Sequence, residues 1–193
     1  MNQRDVFIRC LTNVSRFYAR HIKSEEQLER ERKALEMPAH LTALFGPNLL
    51  GPGGAKLDLS SLKGKVIGLY FSAHWCPPCK QFTPLLAAKY RDIIKTGKPF
   101  EIVFVSSDRS QGEADAYFKE MPWKALPFSE RGRKDALSTK FNVQVRRRDS
   151  QILLLFCRDF WQGIPTLVLL DETGNVITVD GRSAVMTKPF PFK

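Results

Sequence analysis

The chain has 193 residues, 43% of them hydrophobic, enough for one full domain with extensions and for a real core. No apolar run approaches the roughly 20 residues that a membrane-spanning helix needs, and the densest, Ile152-Leu153-Leu154-Leu155-Phe156, is far shorter. The net charge of +10 is spread along the chain, and its clusters, Arg131-Gly132-Arg133-Lys134 and Arg146-Arg147-Arg148, lack the interleaved aromatics of a nucleic-acid platform.

Residues 1–37 are charged and helix-prone, with Phe7, Leu11, Val14, Phe17 and Tyr18 on one apolar stripe. Within residues 1–23, Arg4, Arg9, Arg16 and Arg20 stand against a single acid, Asp5, which is the pattern of an amphipathic mitochondrial presequence. Ser24-Glu25-Glu26-Gln27 then reads as the capping start of a second helical stretch, and so acidic a run does not suit a transit peptide. A helical extension over 1–37 is the reading preferred, with mitochondrial targeting as its alternative. Pro38 closes the region. Gly46-Pro47-Asn48 and Gly51-Pro52-Gly53-Gly54 are turn punctuation around a short strand at Leu49-Leu50, and residues 57–62 predict a second one.

Val66-Ile67-Gly68-Leu69-Tyr70-Phe71-Ser72-Ala73 is an apolar, β-prone run that reads as a buried strand. Trp75-Cys76-Pro77-Pro78-Cys79-Lys80 comes next, and the apolar spacing beyond it predicts a helix from 76 to about 95, kinked at Pro84. Two cysteines two apart, where a strand feeds a helix, are placed for dithiol–disulfide chemistry. The head of the helix presents unpaired N–H groups and the positive end of its dipole to Cys76. A thiol that ordinarily titrates near ~8.5 can fall there to roughly 3.5–7.5. Cys76 is accordingly read as the attacking thiolate, and Cys79, one turn further in, as the thiol that closes the intramolecular disulfide. Pro77 and Pro78 stiffen the loop at no cost to the first helical turn, and Trp75 is expected to shield the thiolate.

Two other uses of the pair fit less well. A structural zinc takes about four ligands in spaced pairs, whereas Cys10 and Cys157 stand alone and His21, His40 and His74 form no pair. No metal is therefore expected. A purely structural disulfide belongs to short, cysteine-dense secreted chains. Four cysteines without a charged-then-apolar opening segment favour a reducing intracellular compartment. That means the cytoplasm, or the nucleus if the basic clusters act in import rather than as a solvated face.

Phe100–Ser106 is another continuous apolar strand, followed by helices expected at about 113–121 and 134–141. Thr166–Leu170, the turn Asp171-Glu172-Thr173-Gly174-Asn175 and a strand at 176–180 form a hairpin. With βαβ first and ββ last, the fold class is α/β, a mixed sheet with helices on both faces.

This order of strand, WCxxC, helix, strand, helix, Ile164-Pro165-Thr166 and hairpin resembles the thioredoxin superfamily. The wording is similar to its nucleoredoxin and tryparedoxin branch. It is carried by the 70–79 segment, by Phe100-Glu101-Ile102-Val103-Phe104-Val105-Ser106-Ser107-Asp108, by Met121-Pro122-Trp123-Lys124-Ala125-Leu126-Pro127, by the 163–171 segment and by Val176-Ile177-Thr178. Leu44-Phe45-Gly46-Pro47-Asn48-Leu49-Leu50 matches the opening of such domains. The likeness spans 41–186 apart from an insertion at 145–162, with 187–193 as a short tail. It implies a thioredoxin-like fold with Cys76 as nucleophile and Cys79 as resolving residue. Pro165 matches the cis-proline beside the disulfide, where Ile164 and Pro165 expose backbone to a substrate strand. Trp75, Pro77 and Pro78 complete the expected substrate-binding surface. A cis X–Pro bond occurs in only about 5–6% of cases, and a trans proline opening a strand is the plain alternative.

Departures accompany the matches. Tyr70 stands where thioredoxins proper keep a buried acid, as in the rest of this branch, which leaves the proton acceptor for Cys79 unassigned. His74 reads as a loop histidine facing solvent, and Trp123 as packing. The 145–162 insertion, ending in Cys157-Arg158-Asp159-Phe160-Trp161-Gln162, has three readings: a lid or partner-binding element, a third redox thiol at Cys157, or a spliced inclusion that disorders the loop. Lys188-Pro189-Phe190-Pro191-Phe192-Lys193 predicts no full closing helix and hence an uncovered part of the sheet.

The function expected is that of a thiol–disulfide oxidoreductase, a protein-disulfide reductase. Its substrates would be disulfide-containing proteins, its electrons would come from a reductase or a low-molecular-weight thiol, and no organic cofactor is needed. A redox-sensitive binding regulator of a signalling protein, with little or no turnover, is the alternative that the resemblance also implies.

Overall fold

Two apolar runs of seven residues form the centre of the sheet, and every residue in them is buried. The structure is a computed structural model that describes residues 38–143 and 163–192. The expected 1–37 extension and 145–162 insertion, with Cys10 and Cys157, lie outside the described residues. Along the chain the elements are α1 (Ala39–Phe45), β1 (Leu49–Leu50), β2 (Lys56–Leu57), β3 (Val66–Ser72), α2 (Pro77–Lys95), β4 (Phe100–Ser106) and α3 (Gln111–Phe118). β5 (Lys124–Ala125), α4 (Arg131–Lys140), β6 (Thr166–Leu170), β7 (Val176–Thr178) and α5 (Gly181–Thr187) complete them.

The sheet order is β2-β1-β5-β4-β3-β6-β7. β3 and β4 run parallel, Val66 opposite Phe100 and Ser72 opposite Ser106, as near-continuous apolar strands do when both faces are covered. β6 pairs antiparallel with β3 and β7 antiparallel with β6, so the sheet is mixed, as expected. On one face Tyr70, Phe104, Leu167 and Leu169 pack with Phe82, Leu86 and Tyr90 of α2, Tyr117 and Phe118 of α3, and Ala184 and Val185 of α5. Residues of the other parity, such as Ile67, Leu69, Phe71, Val103 and Val105, are buried as well. α1 and α4, in contact with each other, add Leu41, Leu44, Phe45 and Leu137 to the buried set.

Several expectations need correction. Residues 59–62 form a 3-10 turn rather than a strand, because the Asp58 carboxylate caps it by accepting the Ser60 N–H at 2.8 Å. α1 and β5 were not legible, whereas α2 runs to Lys95 with Pro84 inside it, as expected. The C-terminal edge is not bare. Asp180 caps α5 by accepting from the Ser183 amide at 3.4 Å, and Gly181 brings the helix so close to β6 that a Cβ there would stand 2.5 Å from the Leu167 carbonyl oxygen. Beyond it, Phe192 is buried with its ring centroid 5.4 Å from that of Phe100. Phe190, its ring centroid 6.4 Å from that of Phe100, joins Phe192 in covering the sheet beyond α5.

At the N-terminal end of β4 lies a buried carboxylate, Glu101. It accepts from the Tyr90 hydroxyl at 2.8 Å and from its neighbour's amide, Ile102 N, at 3.2 Å. Lys124 forms an ion pair with it, and Lys65 stands 3.6 Å away. This cluster is at the opposite end of the parallel strands from Ser72 and Ser106, whose loops carry the site described next.

Candidate active site

The C-terminal ends of parallel strands are where open α/β sheets place their sites, and here β3 ends in the turn that leads to the cysteines. Cys76 is the N-cap of α2, with extended backbone, and Cys79 lies in the first turn. A helix leaves its first N–H groups without internal partners. Pro77 and Pro78 have none to offer, and the Lys80 amide donates to the Cys76 carbonyl at 3.1 Å. The Cys79 amide is thus the donor left for the sulfur, and it donates to Cys76 Sγ at 3.3 Å. Sequence reasoning placed Cys76 at this position; the two prolines turn out to select which N–H serves it.

A disulfide joins Cys76 to Cys79. Both are buried, Cys79 completely and Cys76 to within 4%. Their apolar surroundings are Ala73 and the half-buried Ile164. Cys76 Sγ lies 3.7 Å from the Ile164 carbonyl oxygen. The Ile164–Pro165 peptide bond is cis, the Pro165 side chain is buried, and the Pro165 carbonyl accepts from Arg182 Nη1 at 3.3 Å. The Arg182 guanidinium also lies 4.9 Å above the Phe82 ring. Pro77 and Pro78 are exposed. Trp75 is 40% exposed; its Nε1 donates to the Ser107 carbonyl at 3.3 Å, and Arg109 sits 5.8 Å over its ring.

The residues that sequence reasoning missed are those of the loop after β4. Ser107 N donates to the Ser72 carbonyl at 2.9 Å. Asp108, 5% exposed, accepts the His74 N–H on Oδ1 at 2.7 Å and the Ser106 hydroxyl on Oδ2 at 2.8 Å. Two consecutive residues, Ser107 and Asp108, therefore hold Ser72, His74 and Trp75. Burial pushes the Asp108 carboxyl above the usual carboxylate range, against the pull of the Ser106 and His74 donors. The sign follows from linkage: a raised native value means that ionisation of Asp108 opposes folding at neutral pH, an opposition that vanishes below the unfolded value of about 3.9. Asp108→Asn, whose oxygen still accepts from His74, is therefore expected to match or exceed the parent stability at pH 7 and to lose that advantage as pH falls below about 4. Urea midpoints at the two pH values check it; an advantage that grows on acidification would contradict it.

Beneath the cysteines lies a chain of buried hydroxyls. Thr83 Oγ1 donates to the Cys79 carbonyl at 2.9 Å, and Tyr70 and Tyr117 both hydrogen-bond to Thr83. Ser72 Oγ is 3.1 Å from the Tyr117 hydroxyl. Burial drives the Tyr70 hydroxyl far above its ordinary value. His74 is half-buried, its ring 5.7 Å from that of Tyr117, rather than facing solvent freely. Trp123 is core packing, 1% exposed between Tyr70 and Tyr90. Among the described residues no helix is long and apolar enough to cross a membrane.

A CxxC disulfide at the head of the helix that follows a central strand, beside a cis-proline loop, defines a thioredoxin-fold dithiol protein. The comparisons agree with that class. A family model described as Thioredoxin-like matches residues 64–176. Nucleoredoxin of Bos taurus is 43% identical over 143 residues, covering 74% of this chain and 28% of the relative. Nucleoredoxin of Danio rerio is 40% identical over 161 residues, covering 81% and 34%. The chain thus spans about a third or less of the length of these curated relatives. Among solved structures, tryparedoxin II from C. fasciculata superposes with a TM-score of 0.66 at 35% identity, covering 80% of this chain and 98% of that one. The chain belongs to the thioredoxin-like family, in its nucleoredoxin and tryparedoxin branch. Thiol–disulfide exchange is the chemistry of that class.

Proposed function

We propose that the chain is a protein-disulfide reductase that works through Cys76 and Cys79. The observation that carries this reading is the geometry at Cys76: a buried sulfur on the N-cap of α2, served by the Cys79 amide and 3.7 Å from the Ile164 carbonyl oxygen. In the reduced form the Cys76 thiolate attacks one sulfur of a substrate disulfide, forms a mixed disulfide and expels the other sulfur as a thiolate, which takes up a proton. Cys79, having lost its proton, then attacks Cys76 Sγ. That step breaks the mixed disulfide, releases the second substrate thiol and forms the Cys76–Cys79 bond. Two electrons pass from the dithiol to the substrate, and a reductase or a low-molecular-weight thiol restores them. Trp75, Pro77, Pro78, Ile164 and Pro165 are the residues proposed to meet the substrate; the first three are exposed around the sulfurs, while Ile164 supplies the neighbouring carbonyl.

The test is stoichiometric. The pre-reduced chain is mixed with a protein disulfide, and free substrate thiols and the Cys76–Cys79 bond are both counted by mass spectrometry. Two free substrate thiols for each Cys76–Cys79 bond, both absent in Cys76→Ser, are expected. A folded, reduced chain that leaves the substrate oxidised would favour a redox-sensitive binding module instead, and Cys76→Ser would then retain the partner of the reduced state.

A further inference from the structure

We propose that Asp108 is a positioning residue for the dithiol: by accepting the His74 amide proton, its carboxylate holds the His74-Trp75 turn so that Cys76 stays on the N-cap of α2 with the Cys79 N–H on its sulfur. This inference rests on the reading of Cys76 as the reacting thiol. Asp108 itself touches neither sulfur.

The links to the Asp108 carboxylate are short, at 2.7 and 2.8 Å. Two donors serve the Asp108 carboxylate, and one is local: the Ser106 hydroxyl on Oδ2 at 2.8 Å, whose oxygen in turn accepts the Asp108 amide at 3.0 Å and so closes a small ring. The other, His74 N at 2.7 Å, comes from 34 residues earlier in the chain and lies two residues before Cys76. That bond is the one that ties the carboxylate to the cysteine loop. Downstream, the Cys76 amide donates to the Ala73 carbonyl at 3.2 Å, so the turn closed at His74 is the turn that delivers Cys76 to the helix.

The far side of the loop is braced independently. Arg131 of α4 donates through Nη2 to the Ser106 carbonyl at 3.2 Å and through Nε to the Phe128 carbonyl at 2.8 Å, with its guanidinium 3.8 Å over the Phe128 ring. The ionisable groups facing Asp108 are His74 from the cysteine loop, Glu113 from α3 and Arg131 from α4. Glu113 is occupied by the Arg109 and Ser110 amides at 3.1 and 3.2 Å, leaving the His74 amide to Asp108. A carboxylate whose burial disfavours its own charge is a poor choice for stability alone. A two-oxygen acceptor at the end of β4 is what a clamp on another loop requires.

The experiment compares Asp108→Asn with Asp108→Ala, each in the full chain carrying Cys79→Ser. Both replacements are uncharged, so the loss of the negative charge near Cys76 cancels between them, and only asparagine keeps an oxygen for His74. Cys76 alkylation by iodoacetamide is followed against pH, read on the Cys76 peptide so that Cys10 and Cys157 do not contribute. The midpoint is expected to lie about one pH unit higher in the alanine variant, as its sulfur leaves the helix head. Superimposed profiles would overturn the proposal. Should the alanine variant fail to fold, hydrogen exchange of the His74 amide in the parent chain decides: protection supports the clamp, and exchange at the unfolded-chain rate overturns it. Alkylation needs no disulfide substrate. A chain that shows the midpoint difference without turnover would sink the reductase reading and leave the role of Asp108 standing.

Discussion

Cys79→Ser is expected to abolish turnover while leaving the first exchange intact, so that substrate accumulates as a mixed disulfide on Cys76. The serine keeps the backbone amide that donates to Cys76 Sγ at 3.3 Å, so the thiolate that opens the reaction is still stabilised. What it lacks is a sulfur to attack the new bond. A well-oriented intramolecular attack has an effective molarity of ~10⁵ M or more, so millimolar external thiol replaces it with a loss on the order of 10⁸-fold. Intact-mass spectrometry after mixing with a protein disulfide reads the trapped species directly. Undiminished turnover by this variant would mean that external thiols resolve the intermediate and that Cys79 is dispensable.

The second large effect lies at the other end of the sheet. Lys124→Ala removes the closest cation from Glu101, whose side chain is only 4% exposed and otherwise has Lys65 at 3.6 Å. A buried charge left without its partner costs on the order of 3–5 kcal/mol, and the half-exposed Lys65 argues for the lower end. At about 3 kcal/mol a chain of this size loses roughly 6–12 °C in Tm. Adding Glu101→Gln should recover most of the loss, because the amide oxygen can still accept from Tyr90 and Ile102 while no charge remains to be neutralised. A single variant that melts within a degree or two of the parent would show that Lys65 alone suffices. Disulfide exchange by the folded fraction should be unchanged, since no part of this cluster reaches Cys76.

The parts of this molecule that could be read in advance are those whose cause is local. Continuous apolar runs gave β3 and β4, the spacing after Cys79 gave α2, and Asp171 to Asn175 marked the turn of the β6–β7 hairpin. Cys76 and Cys79 were legible because the strand, the motif and the helix are adjacent in the chain. β5 was hidden because two residues make a strand only where β4 and β1 flank them. α1 was hidden because Pro38 offers no capping side chain and only seven residues follow it. The 57–62 segment opens with strand-like alternation, Leu57-Asp58-Leu59-Ser60, yet Asp58 closes 59–62 into a turn. For α5 the signal was present, an aspartate three residues before Ser183, but the prolines beyond drew attention to the tail. Asp108 was illegible in kind: its use depends on an amide far away in the sequence that only the fold brings near.

The hydroxyl chain under the cysteines has a direction. Each member owns one hydrogen. Thr83 spends its own on the Cys79 carbonyl, so Tyr70 and Tyr117 must both aim theirs at Thr83, and Ser72 must aim at Tyr117. Every arrow points toward the first turn of α2, and reversing one would strand a buried oxygen or hydrogen at about 1–3 kcal/mol. Where a thioredoxin keeps an acid, this chain therefore has a one-way array of neutral hydroxyls and, with Tyr70 driven so high by burial, no hydrogen there to release. Under the proposed mechanism, then, none of these four hydroxyls is a base for the hydrogen ion shed by Cys79: each already holds its own. The base for that step is a group outside the array or the solvent.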